Sequence, residues 1–122
     1  FQKQKDKVIL KAWFQLKPGV ESNIRHIMDM SKERRWARQP RELPNSGSVF
    51  KRPPGRYVGP MIDELGLKGL KMGGAQISTK HSGFIINYDN ASGEDIINLI
   101  AHIQEKVYAA FKIKLEVEQR IV

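Results

Sequence analysis

The chain contains no cysteine. Disulfides and thiolate metal sites are therefore excluded, and the composition fits a reducing cytosol. No apolar run approaches the roughly 20 residues that a membrane helix needs, and no signal-peptide pattern opens the sequence. Aromatic residues make up only 8% of the chain. Several chemical signatures are also missing. The glycine-rich run "GLKGLKMGG" has neither the Gly-Lys-Ser/Thr of a phosphate loop nor the GxGxxG of a dinucleotide site. Gly47-Ser48 is half of a GxSxG nucleophile elbow and no more. His26, His81 and His102 have no metal-ligand spacing, so no metal site is expected. By position His102 is a surface residue of a helix and His81 a turn residue between two strands.

What is present is positive charge. The 122 residues carry a net charge of +8, with 40% hydrophobic and 28% charged residues. These are values for one compact globular domain. The chain begins with Phe, and a strand-like segment follows at once, as expected of a piece of a longer protein. The cations cluster in "KERRWAR" (32–38) and "KRPPGR" (51–56). These clusters bracket "PNSGSVFKRPPG" (44–55), which reads as a Pro/Gly-stiffened loop presenting Ser48 beside Lys51 and Arg52. Nucleic acid, anionic lipid and phosphorylated small molecules all suit such a surface. A nucleic-acid-binding module would use the Arg-rich helix end, Lys51, Arg52 and Trp36.

Hydrophobic periodicity supplies the architecture. "VILKAWFQL" (8–16) alternates and predicts a strand. Val20, Ile24, Ile27 and Met28 follow i, i+4, i+7, i+8 and predict a helix running to about Arg38, ended by Pro40. "GPMIDELG" predicts a short helix with Pro60 at its first position and Gly66 just past its end. "LKMGGAQIS" and "GFIINY" predict two neighbouring strands. "SGEDIINLIAHIQEKVYAAF" predicts a long helix capped by Ser92, with Ile96, Ile100, Ile103 and Val107 as its apolar stripe. "IKLEVEQRIV" alternates, placing Ile113, Leu115, Val117 and Ile121 inward and Glu116, Glu118 and Arg120 outward. The fold expected is α+β: a small mixed or antiparallel sheet packed with two main helices and one short one. On this pattern Glu118 is a solvent-face charge able to pair with Arg120.

Taken together, "RQP", "PNSGSVFKRPPG", "GPMIDELGLKG", "GGAQISTKHSGFIIN", "ASGEDIINLI" and "LEVEQRIV" occur in order over residues 39–122. In this order and spacing the chain resembles the C-terminal part of the UDP-N-acetylmuramate dehydrogenase (MurB) family. The resemblance implies that residues 1–18 close an otherwise missing FAD-binding domain, just after its Tyr-Arg-x-x-x-Phe segment, and that residues 19–122 form a substrate-binding domain. It further implies a flavoenzyme of peptidoglycan precursor synthesis. NADPH would reduce FAD, and the flavin would pass hydride to UDP-N-acetylglucosamine enolpyruvate. Ser48 would be the proton donor, and Glu118, overturning its solvent-face reading, would stabilise the enol intermediate. Arg38, Lys51, Arg52 and His81 would contact the UDP-sugar, with Arg52 where some members have asparagine and His81 where one branch has glutamine. The tyrosine-bearing insertion of that branch is absent between Gly59 and Met72, as in the shorter second type. The family's third catalytic group, an arginine of the flavin domain, has no counterpart here, so this piece alone is expected to be inactive.

Overall fold

The computed structural model describes residues 8–121. The chain divides into two compact units, Phe1–Ser31 and Lys32–Val122. In the first, residues 8–20 have no regular secondary structure and their side chains are exposed. The strand expected over 8–16 is therefore not formed, because alternation shapes a strand only where a neighbour accepts its backbone hydrogen bonds. Residues 1–7, and Val122 at the end of the last expected strand, lie outside the described residues. Helix α1 runs over Glu21–Arg38 and buries none of its residues.

In the second unit four strands form one antiparallel sheet: β1 Asn45–Ser48, β2 Lys71–Met72, β3 Ala75–Ile77 and β4 Phe84–Asn87, in the order β1-β4-β3-β2. "LKMGGAQIS" is thus not one strand but a hairpin of β2 and β3. Its turn is Gly73-Gly74. Gly73 has φ +54°, and a Cβ on Gly74 would stand 2.0 Å from the Asp89 carbonyl oxygen. Helix α2 covers Val58–Glu64. Pro60 is its third residue rather than its first, still within the turn whose N–H groups lack intrahelical partners. Gly66 follows the end at φ +66°, as expected.

Helix α3, Gly93–Phe111, is closed by a capping box. Asp95 N–H donates to Ser92 Oγ at 3.1 Å, and Ser92 N–H donates to the Asp95 carboxylate at 2.9 Å. The helix buries Leu99, Ile100, Ile103 and Val107 across β2 and β3, and α2 packs against it. Leu99 takes the buried place expected for Ile96, which packs at the edge of the core. Ala75, Ile77 and Ile85 face this core from the sheet. After α3 the chain runs back extended and makes a single bridge, Val117 to Phe50, rather than a full strand. Its alternation holds at Leu115, which is buried, but Ile121 is exposed. No helix among the described residues is long and apolar enough to cross a membrane.

Candidate active site

Ser48 does not sit in a loop; it is the last residue of β1. Asn45 pairs with Ile86 and Ser48 with Phe84, so three steps on β1 oppose two on β4. The extra residue is a bulge, the device that re-aims a side chain at a sheet edge. Gly47, at φ +82°, supplies its left-handed conformation. Asn45 ties the bulge together: its Oδ1 accepts from Gly47 N–H at 3.1 Å and its Nδ2 donates to the Pro40 carbonyl at 2.8 Å.

The apolar pair inside this polar stretch explains its rigidity. Val49 and Phe50 are 1% and 4% exposed. Val49 N–H donates to the Gly83 carbonyl at 3.0 Å, while the Val49 carbonyl accepts from Glu118 N–H at 2.8 Å. On the same side Lys51 N–H donates to the Glu116 carbonyl at 2.9 Å, and Gln119 Nε2 donates to the Gly47 carbonyl at 3.2 Å. The chain after Ser48 is therefore held between the turn before β4 and the C-terminal segment. That double row fixes Ser48 relative to both His81 and Glu118.

Two cavities meet at Ser48. The larger, about 520 Å³, brings Ser48 together with Arg52 and His81. The smaller, about 370 Å³, brings Ser48 together with Glu118, Ser46 and Gln119. Four of the six residues singled out from the sequence thus converge. Lys51 and Arg38 line neither cavity: Lys51 is ion-paired with Glu116, and Arg38 is exposed in the last turn of α1.

The larger cleft also contains charged and aromatic groups that the sequence reading did not single out, among them Tyr57, Asp63, Lys68 and Lys80. Tyr57 has the Arg52 guanidinium 3.7 Å above its ring. This cation–π contact orients the side chain while leaving its charge unneutralised. Arg52 has no carboxylate partner among the described residues. Lys80 is different: its Nζ lies 2.8 Å from Glu42 Oε1, and that hydrogen bond, aided by backbone N–H donors, holds the Glu42 carboxyl down to about 2. Lys68 Nζ lies 3.8 Å from Asp63 Oδ1. The signal for Arg52–Tyr57 was the Pro-Pro-Gly turn between them, which folds the chain back on itself.

His81 Nδ1 accepts a hydrogen bond from Gly83 N–H at 3.1 Å. In the neutral ring the proton then resides on Nε2, which makes that nitrogen a donor. The ring meets Phe84 edge-on at 4.8 Å. Several of the groups on which the nucleic-acid reading rested meet local partners. Trp36 has Lys32 Nζ at 4.3 Å and Arg41 Cζ at 3.8 Å from its ring centroid, Lys51 is paired, and Arg52 is stacked.

Comparison with known proteins identifies the family. The family model described as UDP-N-acetylenolpyruvoylglucosamine reductase, C-terminal domain, matches residues 39–122. Reductases of that name from Limosilactobacillus reuteri and Levilactobacillus brevis are 50% and 51% identical over 115 residues. The match covers 94% of this chain and 39% and 38% of theirs. The one from Fervidobacterium nodosum is 47% identical over 122 residues, 99% of this chain and 40% of its own. The crystal structure of the reductase from Thermus caldophilus superposes with a TM-score of 0.72 at 35% identity. That superposition covers 87% of this chain and 37% of that one. The chain thus spans about two fifths of the length of the curated relatives it matches. It belongs to the family of UDP-N-acetylenolpyruvoylglucosamine reductase C-terminal domains.

Proposed function

We propose that this chain is the substrate-binding part of a bacterial cytoplasmic enzyme that reduces UDP-N-acetylglucosamine enolpyruvate to UDP-N-acetylmuramate for peptidoglycan synthesis. The observation that carries the reading is the position of Ser48 on a bulged strand, shared by two cavities that also contain Arg52, His81 and Glu118. Residues 19–122 would form the substrate domain and residues 1–18 would belong to the FAD-binding domain as its closing segment.

The residues described here do not fit a flavin or nicotinamide dinucleotide. The glycine-rich run that would have to cradle the phosphates instead ends α2 and turns β2 into β3, with Gly66, Gly69 and Gly73 at positive φ. FAD and NADPH are therefore assigned to the rest of the parent chain, which would supply the hydride. This domain supplies binding and the proton. Hydride arriving at the terminal carbon of the enolpyruvyl group leaves enolate charge beside the carboxylate, and the α-carbon then takes a proton. A serine hydroxyl is a poor acid in water, so it serves only when rigidly aimed at a reactive carbanionic acceptor. The bulge and the double hydrogen-bond row around Val49 provide that aim. Across the smaller cavity Glu118 would stabilise the enol. In the larger one, His81 Nε2–H would donate to the substrate carboxylate, and the Arg52 guanidinium would take the diphosphate in a bidentate contact. Lys51 and Arg38, outside both cavities, would add to the field that draws the anionic substrate in.

The test is NADPH oxidation by the flavin-containing full-length parent, dependent on added UDP-N-acetylglucosamine enolpyruvate. Turnover by the parent and none by this chain alone is expected. A purified parent without flavin, or one indifferent to the substrate, would overturn the assignment.

A further inference from the structure

The structure assigns to Asp63 a positioning role: through Ser82 it holds the 79–83 turn against α2, and so sets where the His81 imidazole stands in the cleft. The inference rests on the reading of His81 as a substrate contact. Three observations carry it.

First, the 79–83 turn is bonded to itself and, through the Gly83 carbonyl and Lys80, to Val49 and Glu42, but by none of these bonds to α2. Ser78 Oγ accepts from Lys80 N–H at 3.1 Å and from His81 N–H at 3.2 Å, Phe84 N–H donates to the His81 carbonyl at 3.0 Å, and Gly83 N–H reaches the ring itself. These bonds shape the turn without fixing its place relative to α2. Second, Ser82, the next residue, is 4% exposed, and its hydroxyl donates to Asp63 Oδ1 on α2. A buried hydroxyl facing a carboxylate is a charge-assisted donor, roughly twice as strong as a neutral one. Third, Gly59 and Asp63 stand four residues apart, on one face of α2. A methyl at Gly59 would lie 3.9 Å from His81 Cε1, and one at Gly83 would lie 3.0 Å from it. The imidazole thus rests against two glycines, one of them on the helix that also holds Ser82. Asp63, Ser82, Gly59 and His81 all line the 520 Å³ cleft.

A positioning role makes a specific demand on a double-mutant cycle in the full-length parent. Asp63→Ala is expected to raise the KM for the enolpyruvyl substrate about tenfold, the effect of misplacing one hydrogen bond to a charged group. His81→Ala is expected to raise it by a similar factor. The double variant is expected to be no worse than the poorer single one, because Asp63 acts through a ring that is already gone. Ser82→Thr, which keeps the hydroxyl, should stay near wild type, whereas Ser82→Ala should match Asp63→Ala. If Asp63→Ala does not fold, Ser82→Ala removes the same hydrogen bond and carries the same cycle. Effects that multiply in the double variant, or an unchanged KM in Asp63→Ala, overturn the inference while leaving the reductase reading intact. A wild-type parent that does not reduce the substrate removes that reading instead, before any variant is made.

Discussion

Helices α1 and α3 are nearly equal in length, 18 and 19 residues, and both announce themselves by apolar residues at helical spacing. They differ in everything that periodicity does not encode. α3 buries Leu99, Ile100, Ile103 and Val107 and is closed at its start by Ser92 and Asp95. In α1 the stripe of Ile24, Ile27 and Met28 is exposed, and Arg25 pairs with Glu21 one turn away at 3.1 Å. Such an exposed i,i+4 pair contributes only a few tenths of a kcal/mol. A repeating apolar stripe therefore tells where a helix wants a neighbour, not whether this chain provides one.

This contrast can be broken most sharply in the core of α3. Leu99→Ala or Ile103→Ala should destabilise the 122-residue chain by about 2–5 kcal/mol, through lost burial and the cavity left behind. Denaturant unfolding followed by circular dichroism measures it. Removing the cap should cost less. Ser92→Ala is expected to lose about 1 kcal/mol in the same assay.

Acid probes the same corner. Asp95 is held below its ordinary value, first by the Ser92 backbone N–H and then by that of Gly74. A depressed carboxylate contributes stability that is fully present above the unfolded aspartate value of about 3.9 and is lost as pH falls through the lower folded value. Thermal melts of wild type and Asp95→Asn should therefore converge as the pH is lowered through that window. A gap that persists at low pH would contradict the linkage. The smallest effect is expected in α1: Ile27→Ala should change the stability of this chain by no more than about 0.5 kcal/mol, since nothing buried is lost. A larger loss would mean that the exposed stripe has a partner in solution.

The contrast also marks what could be read from the sequence. The α+β class, the three helices, the Ser92 cap and the β3–β4 pairing followed from local signals. The antiparallel β1 did not, because "PNSGS" reads as a loop until β4 is there to pair with it and Gly47 absorbs the bulge. The β2–β3 hairpin hid behind its two glycines, and residues 8–16 alternate without forming a strand. At the site, Ser48, Arg52, His81 and Glu118 were singled out from the sequence, His81 and Glu118 only through the family resemblance. Asp63, Lys68, Lys80 and Ser82 were missed because nothing local distinguishes a cleft-lining residue of these types from a solvated one, and Tyr57 because its one signal was the Pro-Pro-Gly turn that folds it back onto Arg52. Lys51 stands in the expected loop, yet Glu116 turns it away from both cavities, a fact that only tertiary pairing decides.

The role of Ser48 is tested most directly by separating the two half-reactions of the full-length parent by stopped-flow. Ser48→Ala should leave NADPH-dependent bleaching of the flavin near wild type. It should slow flavin reoxidation by UDP-N-acetylglucosamine enolpyruvate by about 10²–10⁴-fold, the range for loss of a positioned general acid. Reoxidation at the wild-type rate would show that the bulged strand is a scaffold and that the proton comes from elsewhere.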